Sequence, residues 1–593
     1  MHILLLVVVA LIPLIIKLFV IVNLFQNIKT FIIIQSILHD SLIYLFLVLL
    51  TYLSYISKNI IIKIFLRFLS ITIFIIYLID SLIWVRFATH LTVEDLFKFI
   101  NYLPNYISQY YNLNIYLIIF IIAFIITIFY YLFKDISIKK HYHISTIIII
   151  CLFFTSYLSA NNNNYIHSWL YKNVFEYNYE LLSREKKYTD NFINNLHYEK
   201  KELIHNSDSK KHNIVVLMVE SLSSYQSNLF SGINNWTTEI DKIAKENIYF
   251  KNFYANGYIT EHAEISILTG ELPIVPPQLF SKDDNISFNG FYNVKTSIPN
   301  ILKNSNYDTE FITSSDLSFS NTGTWAKSIG FNYIEGSDHP FYNNLPRFHF
   351  FAASDKYLFE RVIKRMNKKR DNPYFIFVKT VSSHVPFINP ENKKHSEEET
   401  FKYIDRQISF FYNKLKQDNF FKNNGMLIIV GDHYPSIPLK EKVEETLGEY
   451  RATASVPMIL CLDKKNAKID SQFQQIDIYN MILNYSGNNF FTSKWKGAFT
   501  NNSIISPEYI LHKRVDNRSI YSVFNKNITY NISLNGDKTS IIDEKALDKD
   551  MKKEILTKVN FERTRNRDNN IINSDLITRK GFPLSLLRKG DID

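Results

Sequence analysis

Asn213–Val219 (NIVVLMV), running straight into Glu220, and Met426–Val430 (MLIIV), running into Gly431-Asp432-His433, decide how this chain folds. Each is a short continuous apolar run bounded by polar residues, which reads as a strand buried on both faces in a parallel sheet. In open α/β sheets, chemistry gathers where such strands end. Here one end carries a carboxylate and the other a carboxylate beside an imidazole, groups that bind divalent metals. Between them lies Gly257-Tyr-Ile-Thr260-Glu-His-Ala-Glu264-Ile, a turn that sets a hydroxyl at the head of an expected helix. Glu220, Asp432 and His433 are therefore expected to hold a metal that activates the Thr260 hydroxyl as a nucleophile. Two carboxylates and one imidazole suit Mn²⁺ or Zn²⁺, and Mg²⁺ less well. A Thr at a helix start is also a common N-cap, and a carboxylate past a strand can cap the next helix. The His beside Asp432 makes capping the poorer account of that pair.

Outward from these strands the pattern repeats. Strands are expected at 213–219, 308–313, 374–378, 426–430 and 456–461, and helices near 237–247, 261–269, 296–305, 354–368, 400–417 and 475–484. The alternation predicts a mainly parallel sheet with helices on both faces, spanning 211–500. Beyond 500 the pattern changes: Ile520–Phe524 and Thr529–Leu534 read as a small antiparallel pair, and 545–575 is charged and either helical or disordered. Residues 501–593 are thus expected to form a C-terminal subdomain with β structure and a tail.

The first 160 residues differ in kind. Apolar stretches at roughly 3–25, 37–57, 61–83, 113–134 and 144–160 are candidate spans, each near the ~20 residues a bilayer requires. Basic residues concentrate in the connections holding Lys58 with Lys63, and Lys134 with Lys139 and Lys140, which places those loops in the cytoplasm. Five spans then put the C-terminal part outside. Leu91–Ile100 has helical apolar spacing and reads as a helix lying on the membrane or packed on the spans. Asp40 and Asp80 fall near span ends, where charge is costly in lipid. Residues 161–210 are polar, with a helical stretch Trp169–Arg184, and read as a linker.

At 593 residues the chain is too long for one core. Its net charge of +10 is dispersed rather than striped, so it does not indicate a nucleic-acid partner. The two cysteines, Cys151 and Cys461, lie in different parts and predict no disulfide. No Cys-x-Pro-x-Arg occurs, which closes the formylglycine route, and no phosphate-binding Gly-x-x-x-x-Gly-Lys-Ser/Thr occurs.

Four motifs in order carry a family resemblance: Val219-Glu220-Ser221; Thr260-x-x-Ala263-Glu264-Ile265 followed by Leu268-Thr-Gly270; Ser383-His384-x-Pro386; and Gly431-Asp432-His433-Tyr434. The chain resembles the membrane-bound branch of the alkaline phosphatase/sulfatase superfamily, the lipoteichoic acid synthases and phosphoethanolamine transferases. The resemblance implies a sulfatase-like α/β domain, one divalent metal with Mn²⁺ preferred, and Thr260 as nucleophile. It gives His384 the task of holding phosphoryl oxygens or protonating the leaving group. Residues 313–330, with polar groups beside an aromatic after an expected strand, read equally as the loop that selects substrate, with Asp316, Asn321, Trp325 and Lys327 as candidates, and as a polar surface loop with one anchoring Trp. In the lipoteichoic acid synthases the matching stretch ends in Trp-x-Arg and contacts glycerol phosphate; here it is Trp325-Ala-Lys327, a point charge in place of a bidentate fork.

The implied function is a transferase of the bacterial cytoplasmic membrane, multi-pass, with its catalytic domain outside the cytoplasm. Phosphoglycerol would pass from phosphatidylglycerol through phospho-Thr260 to an envelope glycan or lipid. Phosphatidylethanolamine as donor, with lipid A or a glycan as acceptor, is the nearest alternative. A phosphodiesterase using water and a scaffold with a retired site are the others.

Overall fold

The computed structural model describes residues 12–20, 30–87, 90–93, 96, 171–183, 201–206, 210–274, 288, 290–437, 439–514, 520–525, 529–535, 538–541 and 549–563. The chain divides into two compact units, Met1–Ser183 and Arg184–Asp593.

In the first unit, helices Thr30–Ile56 and Ile60–Phe87 pack side by side. Within them Ile33–Ser54 and Ile60–Trp84 are long and apolar enough to cross a membrane, with mean hydropathies of 1.9 and 2.3. The expected span at 3–25 is described only over 12–20, which is helical. Those at 113–134 and 144–160, and most of Leu91–Ile100, lie outside the described residues. Ile61, Phe65 and Phe68 are exposed on the second helix, as a lipid-facing surface requires. Both suspect acids are buried and paired: Asp40 Oδ1 lies 3.1 Å from Lys17 Nζ, and Asp80 Oδ2 lies 2.9 Å from His90 Nδ1. Helix Val174–Ser183 joins the same unit, Glu176 Oε2 meeting His39 Nδ1 at 2.7 Å.

The second unit is built on an eight-stranded sheet: β1 (Asn213–Val219), β2 (Ile248–Tyr254), β3 (Asp308–Thr313), β4 (Tyr333–Glu335), β5 (Tyr374–Lys379), β6 (Gly425–Gly431), β7 (Met458–Cys461) and β8 (Ala467–Gln474). Their order is β4-β3-β5-β1-β6-β7-β2-β8. Only β7 runs against the rest. Strand β1 sits at the centre and shows why a continuous apolar run was needed. Ile214, Val216 and Met218 enter one core with helices Thr260–Thr269 and Gln475–Tyr485. Val215, Leu217 and Val219 enter the other with helices Thr238–Glu246, Asp355–Met366 and Glu397–Gln417. All six side chains are fully buried, each worth about 1.5–3 kcal/mol against exposure.

The six expected helices are present, with ends set by local chemistry. The longest begins at Glu397 because Ser396 Oγ accepts the Glu399 N–H and three Glu residues line its first turn. Strand β7 begins at Met458 rather than 456 because Pro457 has no N–H to donate. A strand within the expected linker, Glu202–Ile204, pairs antiparallel with Phe490–Thr492. The C-terminal pair Ile520–Phe524 and Thr529–Asn535 is the middle of a four-stranded antiparallel sheet with Ile510–Lys513 and Lys538–Ile541. Helix Lys549–Arg563 follows, its Ile555 and Val559 packed in the core that holds Tyr509 and Leu511.

Candidate metal centre and active site

The register of the central strands brings the acidic ends together. Val219 on β1 pairs with Gly431 on β6, so Glu220 and Asp432 emerge side by side at the same edge. Gly431 is required there, because a Cβ would stand 1.9 Å from the Leu222 carbonyl oxygen. After Glu220 the chain turns sharply, with Ser221 at φ +58°. That turn aims the Ser221 N–H at Asp432 Oδ1 (2.6 Å) and the Ser221 hydroxyl at Glu220 Oε1 (2.7 Å). Asp432 Oδ1 also accepts the His433 N–H at 2.7 Å.

Thr260 completes the cluster from the head of its helix. It is the first helical residue, the N-cap being Ile259 with no side-chain cap bond. The capping alternative is therefore not what the hydroxyl does: Thr260 Oγ1 donates to Glu220 Oε2 at 3.1 Å and lies 3.3 Å from His433 Nε2. His433 Nδ1 meets the Tyr434 carbonyl at 2.7 Å, so Nδ1 carries the proton and the Nε2 lone pair faces the acids. From Nε2, Asp432 Oδ2 is 3.3 Å away and Glu220 Oε1 3.7 Å.

These residues fit a divalent cation. One ligand atom each from Glu220, Asp432 and His433 lies within 4.8 Å of the others, and all three residues are buried. Asp432 Oδ2 is fully buried and accepts no hydrogen bond among the described residues. An orphaned anionic oxygen is costly unless a cation meets it. Burial, then the charge of Glu220, pushes the Asp432 carboxyl well up from its ordinary value. Burial alone would lower the His433 imidazole, but the Asp432 and Glu220 charges raise it on balance.

His384 comes from the end of β5. Thr380 Oγ1 accepts the Glu220 N–H at 2.9 Å, and Ser383 Oγ donates to the Glu220 carbonyl, so this loop is tied to the first ligand. Asp355 fixes the loop from below by accepting the Val381 and Ser382 N–H groups at 3.0 and 3.1 Å. Burial nevertheless pushes the Asp355 carboxyl up to about 7. His384 Nδ1 donates to the Val385 carbonyl at 2.6 Å, and burial holds the imidazole below its ordinary value, hence neutral at pH 7.

The 313–330 stretch divides. Trp325 is fully buried on the short helix Thr322–Ser328, stacked 4.2 Å from Phe288, its Nε1 donating to the Phe291 carbonyl at 3.1 Å. It anchors the loop in the core, the second of the two readings this stretch allows. Asp316 Oδ1 accepts the Ser318 N–H and hydroxyl, both at 2.8 Å, and so organises its own turn. Asn321 sits at φ +55° with Nδ2 3.3 Å from the Tyr292 hydroxyl. Lys327 is exposed. The stretch reaches His384 through another residue: Asp316 N–H donates to the Phe350 carbonyl at 2.9 Å, and the Phe350 ring stands 4.7 Å from that of His384.

Other groups support the site, and one of them, Gln475, had no signal in the sequence. Gln475 Nε2 donates to the Gly431 and Asp432 carbonyls (3.0 and 2.7 Å), holding the second metal motif from the opposite helix. Beneath Thr260, fully buried Glu264 faces Lys379 Nζ at 3.1 Å. Burial pushes the Glu264 carboxyl up to about 7 against the pull of that ammonium.

Residues 212–488 match the sulfatase family. Lipoteichoic acid synthase 2 of Bacillus subtilis is 23% identical over 335 residues, covering 50% of this chain and 50% of that protein. The chain thus spans about half the length of the curated relative it matches. Among solved structures, an alkaline phosphatase superfamily protein from Vibrio parahaemolyticus is similar at TM-score 0.49 and 20% identity, over 64% of this chain and 92% of that one. The lipoteichoic acid synthase LtaP from Listeria monocytogenes is similar at TM-score 0.45 and 19% identity, over 63% and 94%. The chain is thus similar to the sulfatases over residues 212–488, and similar in sequence to a lipoteichoic acid synthase over half its length.

Proposed function

We propose that this protein is a metal-dependent membrane transferase. It moves phosphoglycerol from phosphatidylglycerol to a hydroxyl on an envelope glycan or lipid, through a phospho-threonine at Thr260. The observation that carries this reading is the Thr260 hydroxyl, 3.1 Å from Glu220 Oε2 and 3.3 Å from His433 Nε2, at the mouth of a buried three-ligand site. The bound cation, Mn²⁺ in this reading, would lower the pKa of the hydroxyl and offset charge on the phosphoryl oxygens. Thr260 attacks phosphorus and diacylglycerol departs. The transferred group would sit at the N-terminal end of helix Thr260–Thr269, where the helix dipole favours anions. His384 stands beside the ligand loop as the neutral base for the acceptor hydroxyl. Lys327 and Asn321 supply polar contacts to the head group.

The apolar helices of the first unit support a place in the cytoplasmic membrane, with the catalytic unit on the outer side. Tethering raises the effective concentration of lipid head groups at the site. Phosphatidylglycerol labelled in its head group should leave label on Thr260 when acceptor is withheld. Label on a serine, or none, rejects the scheme; an adduct formed only from labelled phosphatidylethanolamine changes the donor.

A further inference from the structure

Beside His384 the chain adopts a backbone that bulky residues seldom take. Phe350 and Phe351 lie consecutively at φ +50° and +59°. Left-handed aromatic residues are strained, and such strain persists where surrounding contacts impose it, commonly at functional sites. Those contacts are specific. The Phe350 carbonyl accepts the Asp316 N–H, and its ring lies 4.3 Å from that of Phe319 and edge-on to His384, ring centres 4.7 Å apart. The ring of buried His349 stands 5.7 Å from that of His384. Phe350 and His384 are both half-buried.

We propose that Phe350 is a specificity-determining residue that makes an alcohol, rather than water, the acceptor of the phosphoryl group; this rests on the two-step transfer reading above. Phospho-Thr260 must survive in bulk water until a scarce acceptor arrives. With Nδ1–H committed to the Val385 carbonyl, Nε2 is the basic nitrogen of His384. The aromatic ring packed against the imidazole offers no hydrogen bond to order a water for attack. An alcohol brings carbon that packs on the ring and so gains binding energy water lacks. In the step itself the acceptor oxygen bonds to phosphorus and the bond from phosphorus to Thr260 Oγ1 breaks. The bond's electron pair stays on Oγ1, the acceptor proton passes to His384 Nε2, and that proton then restores the Thr260 hydroxyl.

The test uses the full chain in detergent with head-group-labelled phosphatidylglycerol and glycerol as acceptor. Water yields glycerol phosphate and glycerol yields glycerophosphoglycerol, separable by chromatography. Phe350→Gly removes the ring at a φ that glycine adopts freely, so the fold is retained. It should raise the ratio of hydrolysis to transfer roughly tenfold, the discrimination one apolar contact supplies. Phe350→Leu, which keeps apolar bulk, should return the ratio toward that of the wild type. An unchanged ratio in Phe350→Gly, or an equal rise in Phe350→Leu, overturns the assignment alone. A wild-type chain that gives neither product overturns the transfer reading and this inference with it.

Discussion

Replacing Asp432 with Asn should stabilise the metal-free protein while removing its response to metal. The amide keeps an oxygen for the Ser221 and His433 N–H groups, so local geometry survives. What changes is charge. In the absence of metal, the buried Asp432 carboxyl has its pKa raised above 3.8 by burial and by Glu220. A raised folded pKa means that stability is full at low pH and is lost as pH climbs from the ordinary value through the raised one. Metal-free wild type should therefore lose stability as pH climbs from about 4 through about 8, and Asp432→Asn should lose less. With metal the order inverts. A ligand at a hundred times its Kd stabilises the folded state by about 2.7 kcal/mol. For a cooperative unit of about 400 residues that is roughly 3 °C in Tm. Thermal scans of the detergent-solubilised chain in chelator and in MnCl₂ at pH 7 measure both effects. An Asp432→Asn protein that keeps the full metal-induced shift would refute the ligand assignment. One that melts below wild type in chelator would refute the charge argument.

Other substitutions probe separate parts of the site. Lys379→Met strands the buried Glu264 carboxylate and should cost about 3–5 kcal/mol; adding Glu264→Leu should recover most of it, read by denaturant unfolding. His384→Gln should lower transfer about 10²–10⁴-fold while leaving the metal-induced Tm shift intact, because His384 is not a ligand. Gly431→Ala should abolish that shift and transfer together, since its Cβ can be relieved only by moving the strand that presents Asp432.

How much was legible beforehand depended on burial. Strand β1 has the expected limits because the centre of the sheet takes an unbroken apolar run, and Glu220 stands out at its end as Asp432 and His433 do after the apolar run of β6. Strand β2 (IYFKNFY) was not expected: Tyr249, Lys251 and Asn252 are only partly buried, and aromatic, Lys and Asn residues crowd the whole chain. Strand β8 at the sheet edge leaves Ala467, Lys468 and Asp470 exposed, so its pattern reads as loop. For Trp325 the sequence allows either substrate contact or a core anchor, and it is the short helix Thr322–Ser328 that turns the ring into the core. Phe350 and Gln475 act through backbone conformation and long-range packing, which spacing in one sequence does not encode.

Crystals grown with Mn²⁺ and measured for anomalous scattering would examine the metal centre directly. The account predicts one strong peak roughly 2.0–2.3 Å from an oxygen of Glu220, Asp432 Oδ2, His433 Nε2 and Thr260 Oγ1. A peak bound elsewhere, or one that leaves the Thr260 oxygen out of coordination range, would contradict it.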